Sequence, residues 1–199
     1  MLLYYVHDPM CSWCWGYRPT LDRLRKALPE YVGWQNVVGG LAPDSDQPMP
    51  PEIRDMVQGH WRRIQRELGT RFNFDFWTRC EPRRSTYIAC RAALAADEQG
   101  REEDMILAIQ EAYYLRAMNP SDVEVLVQLA SELEMDTAAF THALASKETE
   151  QELQAQISQV REWPVSGFPS LILSTHGRVR PLPLDYHDHE TTLAAIQES

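Results

Sequence analysis

The sequence predicts an α/β protein in which a small sheet is interrupted by a long helical segment. Residues 2–6 form a continuous apolar run, which is typical of a strand buried on both faces. Apolar residues then recur at helical spacing almost without a break over residues 51–160. Strand-forming sequence returns at residues 168–184. The predicted order is therefore β-α-β, a helical block and β-β-α.

The N-terminal elements are predicted to be a strand, a helix and a second strand. The turn sequence Asp8-Pro9-Met10 ends the first strand. One helix face follows, with apolar residues at Tyr17, Leu21, Leu24 and Leu28. Pro19 lies within this helix and is expected to kink it. Residues 31–38 predict the second strand, which Gly39-Gly40 ends.

The middle of the chain predicts a helical domain. Residues 42–51 contain four prolines and two aspartates, a composition typical of a linker. Two helix starts carry capping signals: Ser121-x-x-Glu124 is a capping-box pattern, and Asp136 can cap the next helix. Four aromatic side chains are expected to pack this domain onto the core, with a groove beside the active site as the alternative: Phe72, Phe74, Phe76 and Trp77.

The C-terminal part predicts a hairpin and a short last helix. Residues 168–173 are rich in strand formers, His176-Gly177 marks a turn, and residues 178–184 are expected to pair antiparallel to the first strand of the hairpin. Leu193 and Ile196 belong to the last helix. We therefore expect a discontinuous α/β domain of residues 1–41 plus 163–199 and an all-helical insertion domain of residues 42–162.

Composition and charge exclude several classes of function. The 199 residues include 19 basic and 29 acidic side chains, for a formal net charge of −10. This balance disfavours binding to nucleic acid or to an anionic membrane surface. The apolar run after Met1 is too short for a signal sequence or a membrane span. We therefore expect a cytoplasmic protein, in which thiols are mostly kept reduced.

The most specific feature of the sequence is Cys11-Ser12-Trp13-Cys14, placed between a buried strand and a helix. In that position a C-x-x-C sequence is typical of a redox motif. The unpaired amides and the dipole at a helix N-terminus stabilise a thiolate, so the pKa of such a thiol falls to about 3.5–7.5. We expect Cys11 to be the nucleophile and Cys14 the more buried resolving thiol, with apolar surface around the site from Trp13 and Trp15.

Two other interpretations of the cysteines stay open. A C-x-x-C pair can be half of a zinc site, but Cys80 and Cys90 lie in the helical block and do not form a second such pair. The Cys11 and Cys14 thiols could also be merely structural. Cys80 and Cys90 could form a second redox pair, although Cys90 fits a buried core thiol on an apolar helix face.

A proline marks the start of the third predicted strand. In Gly167-Phe168-Pro169-Ser170, Pro169 would delete a hydrogen-bond donor of the strand. A cis peptide bond before Pro169 would turn the chain sharply at this point, whereas an ordinary trans proline at a strand start is the alternative.

These motifs and their order resemble the DsbA-like branch of the thioredoxin fold. Residues 11–16, Cys-Ser-Trp-Cys-Trp-Gly, are similar to the C-P-W-C-Y-G motif of its FrnE-like cytoplasmic members. Pro19 matches the kink proline of thioredoxin-type helices, and Ser85-Thr86 resembles the start of a helix in the family's insert. The resemblance covers essentially the whole chain, but only residues 11–16 and 167–169 are specific.

The resemblance implies a thioredoxin fold interrupted by an all-helical insertion domain and a dithiol–disulfide oxidoreductase or isomerase. It implies that Pro169 is cis and faces the cysteines, and that Phe168, Pro169, Ser12 and Trp13 bind the substrate. It also implies that the cofactor is the Cys11–Cys14 disulfide itself, with no bound group or metal. Glutathione is one candidate electron partner.

Two departures from the family pattern bear on mechanism. Ser12 stands where this branch often has proline, which leaves the direction of the redox reaction open. The thioredoxin pattern has a buried acid in the first strand, where this chain has Tyr4 and Tyr5. His7 and Asp8 are the nearest titratable residues and are the candidates for proton transfer to or from Cys14.

The sequence therefore predicts an enzyme that exchanges disulfides through Cys11 and Cys14. Its expected partners are protein or small-molecule thiols and disulfides, and the chain could be a monomer or a homodimer. One alternative is a glutathione-dependent transferase or isomerase, because the branch includes kappa-type glutathione transferases and 2-hydroxychromene-2-carboxylate isomerase. A further alternative is a non-catalytic zinc-binding module.

Overall fold

The computed structural model describes residues 1–198 and contains a four-stranded sheet. The strands are β1 Leu2–His7, β2 Gly33–Val38, β3 Ser170–Thr175 and β4 Arg178–Leu182. Their order across the sheet is β2-β1-β3-β4. β1 and β2 run parallel, whereas β3 is antiparallel to both β1 and β4. The α/β fold class and the β-α-β and β-β-α ends predicted from the sequence are confirmed.

Helices occupy most of the rest of the chain. In order they are α1 Ser12–Ala27, α2 Pro51–Leu68, α3 Phe76–Arg79, α4 Tyr87–Asp97, α5 Glu102–Tyr114, α6 Val123–Glu132, α7 Thr137–Leu144, α8 Lys147–Glu162 and α9 Glu190–Gln197. α1 continues through Pro19. Across residues 1–198 no helix combines the length and the apolar character that a membrane span needs.

The two faces of the sheet are covered by different helices. One face, which includes Leu3 and Leu173, packs with Leu21 of α1 and Ile196 of α9. The opposite face carries Val6, Val37 and Ile172, and these pack against Val160 of α8. The last long helix of the predicted insertion domain therefore closes the second face of the sheet. The division into domains at residues 42 and 162 stays a prediction.

The helical segment has its own core, centred on Trp61 of α2. Trp61 is fully buried, and the ring centroids of Phe72, Phe74, Phe76 and Trp77 lie 5.0–5.9 Å from its own. These four aromatics therefore pack around Trp61 in the core of the helical segment itself, whereas the expectation was that they pack this segment onto the core of the α/β domain.

Several predicted boundaries are wrong, each for a local reason. β2 begins at Gly33 because residues 30 and 31 form a turn that exposes Tyr31. β4 ends at Leu182, immediately before Pro183. β3 begins at Ser170, after Pro169. The chain leaves β3 and re-enters β4 through the predicted turn at His176-Gly177.

One of the two predicted helix caps is confirmed and the other is wrong. Asp136 accepts hydrogen bonds from the amides of Ala138 and Ala139, at 3.0 and 2.9 Å. The capping box does not form, because the Ser121 hydroxyl is buried and donates to the Ser85 carbonyl, at 2.7 Å. α6 begins later, at Val123.

Candidate active site at the start of helix α1

The end of β1 and the start of α1 place the two cysteines. The Cys11 amide donates to the Asp8 carbonyl at 2.9 Å, which closes the turn after β1. Cys11 is the residue immediately before α1, and Cys14 lies in the first turn of the helix. The predicted position of the motif, between a buried strand and a helix N-terminus, is confirmed.

The two thiols differ in exposure and in electrostatics. Both are free, and Cys11 retains 6% of its surface whereas Cys14 has none. Burial raises the pKa of Cys14 well above its ordinary value, and the hydrogen bond and the charge of Cys11 raise it further. A hydrogen bond with the Asp8 backbone opposes this rise. Cys14 therefore stays protonated near neutral pH unless a base removes its proton.

The loop before β3 lies over Cys11. The Phe168–Pro169 peptide bond is cis, as the resemblance implies. The Cys11 thiol donates to the Phe168 carbonyl at a sulfur–oxygen distance of 3.5 Å. The Phe168 ring packs against Gly39, where an added Cβ would lie only 2.0 Å from the ring Cζ. Gly39 thus leaves room for the ring that holds this loop beside the cysteine.

A cavity of about 210 Å³ opens beside Cys11. The predicted substrate-binding residues Ser12, Trp13 and Phe168 all line it. Pro169 follows Phe168 in the loop and is not among the lining residues. Trp13 and Phe168 also border a wider, open groove of about 840 Å³. The Trp13 ring lies 5.4 Å from that of Tyr186 and 5.2 Å from the Arg63 guanidinium.

Sequence reasoning missed the walls that the helical segment contributes to this cavity. Its apolar side is formed by Met49, Met56 and Val57, and its polar side by His60, Arg83 and Arg84. Arg83 is held by the Asp122 carboxylate and by the Ser121 carbonyl. Helical periodicity assigns Met56 to a buried helix face, but 44% of its surface is exposed. No local signal in the sequence connects these residues to Cys11.

Asp8 forms a buried hydrogen-bonded centre beneath the cysteines. Its Oδ1 accepts from the Met10 amide at 2.8 Å. Its Oδ2 accepts from the Leu41 amide at 2.8 Å, the Thr86 hydroxyl at 2.6 Å and the Cys90 thiol at 3.6 Å. Burial raises the pKa of Asp8, and these hydrogen bonds, that of Thr86 first, oppose the rise. The sequence alone left Asp8 as a turn residue or a proton-transfer residue.

His7 has a different environment. It is fully buried, stacks on Tyr5 at 5.0 Å between centroids, and has no hydrogen-bond partner on either ring nitrogen within residues 1–198. Burial and then the charge of Arg18 lower the pKa of His7 to about 3. The ring is therefore neutral at physiological pH.

The remaining two cysteines have separate partners. The Cys80 thiol donates to the Ala117 carbonyl at 3.1 Å, whereas the fully buried Cys90 donates to Asp8. The burial expected for Cys90 is confirmed. Whether Cys80 and Cys90 form a second redox pair stays untested. In the described part of the chain, no three His, Cys, Asp or Glu side chains are grouped so that they could hold a metal ion.

Curated relatives match this chain at low identity. A ClpXP adapter protein, SpxH of Halalkalibacterium halodurans, is 23% identical over 176 residues, and SpxH of Bacillus subtilis is 24% identical over 172 residues. The matches cover 85% of this chain but 57% and 56% of those proteins. The chain therefore spans little more than half the length of these relatives.

Solved structures with the same architecture cover nearly the whole chain. A candidate protein disulfide isomerase from Nitrosomonas europaea is 27% identical, with a TM-score of 0.87 over 99% of this chain and 96% of that one. The cytosolic disulfide reductase DsbM from Pseudomonas aeruginosa is 23% identical, with a TM-score of 0.82 over 100% of this chain and 98% of that one. DsbM has also been solved with GSH.

A family model described as thioredoxin matches residues 4–179, which include the C-x-x-C motif, the helical segment and the cis proline. More distant matches include DsbA from Xylella fastidiosa, with a TM-score of 0.63 at 16% identity. The predicted thioredoxin fold with a helical insertion is confirmed: the chain shares the fold of the DsbM and DsbA structures, and it belongs to the thioredoxin family.

Proposed function

We propose that the protein is a thiol–disulfide oxidoreductase in which Cys11 and Cys14 are the redox pair. The observation that carries the proposal is the arrangement around Cys11. Its thiol lies at the N-terminus of α1, contacts the Phe168 carbonyl and faces a cavity, while Cys14 is buried one helical turn further on. A helix N-terminus favours thiolate over thiol.

The reaction proceeds in two exchange steps. The Cys11 thiolate attacks one sulfur of a substrate disulfide, and the other substrate sulfur leaves as a thiolate. Cys14 then loses its proton and attacks Cys11, which releases the second substrate sulfur and forms the Cys11–Cys14 disulfide. Two electrons pass from the enzyme dithiol to the substrate, and the reverse sequence oxidises a substrate dithiol.

The loop at Phe168 and the motif residues bind the substrate. We propose that the backbone of Phe168, next to Pro169, pairs with an extended substrate segment. Ser12 and Trp13 contact the groups that flank the substrate disulfide, because they line the same cavity as Cys11. A volume of about 210 Å³ accommodates a few side chains or a small thiol compound.

Asp8 is the proton acceptor for Cys14 in this proposal. Asp8 and Cys14 are both fully buried, and the charge of Asp8 raises the pKa of that thiol. A carboxylate with a raised pKa is a suitable general base near neutral pH. His7 is the less suitable candidate, because a ring with a pKa of about 3 binds a proton weakly.

Glutathione is a candidate electron partner. Arg83 and Arg84 line the cavity beside Cys11, and guanidinium groups complement the two carboxylates of glutathione. The structural match to DsbM, a cytosolic disulfide reductase solved with GSH, supports this choice and a cytoplasmic location. The reduction potential of the pair decides the direction: near about −270 mV the protein acts as a reductant, and near about −120 mV as an oxidant.

The test is the reduction of a model protein disulfide by the Cys11→Ser variant. Because the nucleophile is lost, we expect the rate to fall at least about 100-fold. Cys80→Ser is the matched control and is expected to keep the wild-type rate. Full activity of Cys11→Ser would contradict the proposal. Glutathione binding without redox cycling would favour a transferase or isomerase instead, and one tightly bound zinc per chain would favour a zinc-binding module.

A further inference from the structure

We infer that the start of helix α4 controls the redox site, because the Thr86 hydroxyl there donates to the Asp8 carboxylate and favours its ionised form for the reaction with Cys14. Thr86 is a positioning residue in this inference, since it acts through Asp8 and not on the reacting sulfurs. The inference rests on the proposed function.

The contact between Thr86 and Asp8 is short and buried. Thr86 Oγ1 lies 2.6 Å from Asp8 Oδ2, a distance typical of a hydroxyl that donates to an ionised carboxylate. The same hydroxyl oxygen accepts the Ala42 amide at 3.1 Å. The hydroxyl hydrogen has two acceptors within reach, the Asp8 carboxylate at 2.6 Å and the Ala42 carbonyl at 3.4 Å, and the shorter contact with the charged carboxylate is the stronger one. Asp8 has no exposed surface and Thr86 has 8%.

Thr86 donates to Asp8 and does not cap helix α4. It is the residue immediately before α4, where threonine normally accepts a hydrogen bond from an amide in the first turn. The Thr86 side chain makes no such cap bond. Like Ser121, Thr86 directs its hydroxyl to a partner far away in the sequence, and in this case the partner is the Asp8 carboxylate.

Both side-chain donors to Asp8 come from the same helix. Thr86 and Cys90 lie one turn apart on α4, and Cys90 makes the longer and weaker contact, at 3.6 Å. The other two donors are the backbone amides of Met10 and Leu41. The amides are fixed by the fold, so α4 is the part of this site whose contribution depends on side-chain identity.

Among the titratable groups around Asp8, Cys14 is the one that must change its ionisation during the reaction. The charge of Asp8 raises the pKa of Cys14 on α1, of Cys90 on α4, and of Tyr113 and Tyr114 on α5. All four are neutral near pH 7. Of these, Cys14 must ionise in the reaction, and its proton passes to Asp8 as its sulfur attacks Cys11.

Removal of the Thr86 hydroxyl should therefore shift the pH dependence of the Cys14 step in one direction. A lost donor destabilises the ionised form of Asp8, so the pKa of Asp8 rises and the ionised base is present only at higher pH. The step in which Cys14 attacks Cys11 then shifts to higher pH. The attack of Cys11 on the substrate precedes this step and is expected to keep its pH dependence.

The experiment follows the two steps separately with 5,5′-dithiobis(2-nitrobenzoate) in a Cys80→Ser background. Attack by Cys11 releases one coloured thiolate, and attack by Cys14 on the mixed disulfide releases the second. In Thr86→Val we expect the pH midpoint of the second phase to rise by about one unit, with the pH midpoint of the first phase unchanged. Because Thr86 also lines the cavity beside Cys11, the comparison uses the midpoints and not the rates. Thr86→Ser should restore the wild-type midpoint, and Cys90→Ala should give a smaller shift in the same direction.

The matched control is Thr192→Val, which removes another buried hydroxyl, one that donates to the Pro183 carbonyl at 2.8 Å. An unchanged midpoint in Thr86→Val, an equal shift in Thr192→Val or a failure of Thr86→Ser to restore the profile would overturn the inference. If Thr86→Val does not fold, an unchanged midpoint in Cys90→Ala overturns it. A wild-type protein that releases no second thiolate would overturn the proposed function itself.

Discussion

At the scale of single residues, His7 combines complete burial with two unpartnered ring nitrogens. Burial keeps the ring neutral in the folded protein, whereas the unfolded chain protonates it below a pKa of 6.5. The unfolded state therefore binds more protons between pH 6.5 and 3, and folding stability falls as the pH falls through this range.

We predict that His7→Phe removes this part of the pH dependence. Between pH 7 and pH 5 the His7 ring costs the wild type about 2 kcal/mol of unfolding free energy, because the unfolded state gains a proton. Urea unfolding at the two pH values measures the difference between variant and wild type. The raised pKa values of Asp8 and Glu102 increase folding stability as the pH falls, and this effect is present in both the variant and the wild type.

The control for this prediction is the exposed Gln159, changed to Ala, which removes no titratable group. This substitution should leave the pH dependence of stability unchanged. An identical loss of stability on acidification in His7→Phe and wild type would show that His7 is not responsible.

Gly39 is a residue whose role sequence reasoning did not identify. We predict that Gly39→Ala lowers disulfide-reductase activity at least about 10-fold, since its Cβ would lie 2.0–2.2 Å from two atoms of the Phe168 ring. The ring must move, and the carbonyl beside Cys11 moves with it. The crowding should also cost about 1–3 kcal/mol of stability. The measurements are the reduction rate and urea unfolding.

Gly59→Ala is the matched control for Gly39, because nothing lies within 4 Å of an added Cβ on this exposed helix position. It should keep wild-type activity and gain roughly 0.5–1 kcal/mol of stability. Wild-type activity in Gly39→Ala would refute the role assigned to the Phe168 ring.

The sequence located the two cysteines and the proline loop because these are short motifs with a fixed position relative to strand and helix. It placed Thr86 at a helix start but did not connect it with the site, since the contact with Asp8 joins residues 78 positions apart. Nor did it choose between His7 and Asp8, because that choice depends on burial and hydrogen bonds contributed by α4 and the chain after β2.

At the scale of elements, α6 and α7 show when a capping pattern is reliable. Asp136 caps α7 because its carboxylate is exposed and free to turn toward the helix amides. Ser121 does not cap α6 because its hydroxyl donates to the Ser85 carbonyl instead. A local signal is thus overridden where the side chain becomes buried by a distant segment.

We predict that Asp136→Ala lowers the unfolding free energy by about 0.5–2 kcal/mol, since two amides of α7 lose their acceptor. Asp136→Asn keeps an acceptor oxygen and should stay within a few tenths of a kcal/mol of wild type. Urea unfolding measures both variants. Equal losses in the two variants would argue against capping as the cause.

At the scale of the whole molecule, the sheet and the helical segment share a buried interface. Ile157 of α8 packs with Val38 of β2 and Cys90 of α4. The order of elements was predictable from periodicity, whereas this contact was not, because a helix pattern shows that a face is buried and not what covers it. The interface also lies directly behind Asp8, which Cys90 contacts.

We predict that the two parts of the molecule unfold together. Ile157→Ala should lower stability by about 2–5 kcal/mol through loss of buried methyl groups at the interface. Far-UV and near-UV transitions should move by the same amount, as a single cooperative unit requires. The exposed Gln159→Ala serves as the control and should leave both transitions in place. Two separate transitions would show that the helical segment folds independently.

The central claim is that Cys11 attacks the substrate and Cys14 resolves the product. Mass spectrometry of the Cys14→Ser variant after reaction with a disulfide substrate tests it most directly, because the mixed disulfide then persists. The account predicts one substrate thiol attached to Cys11 and none to Cys80 or Cys90. An unmodified Cys11, or an adduct confined to Cys80, would contradict it.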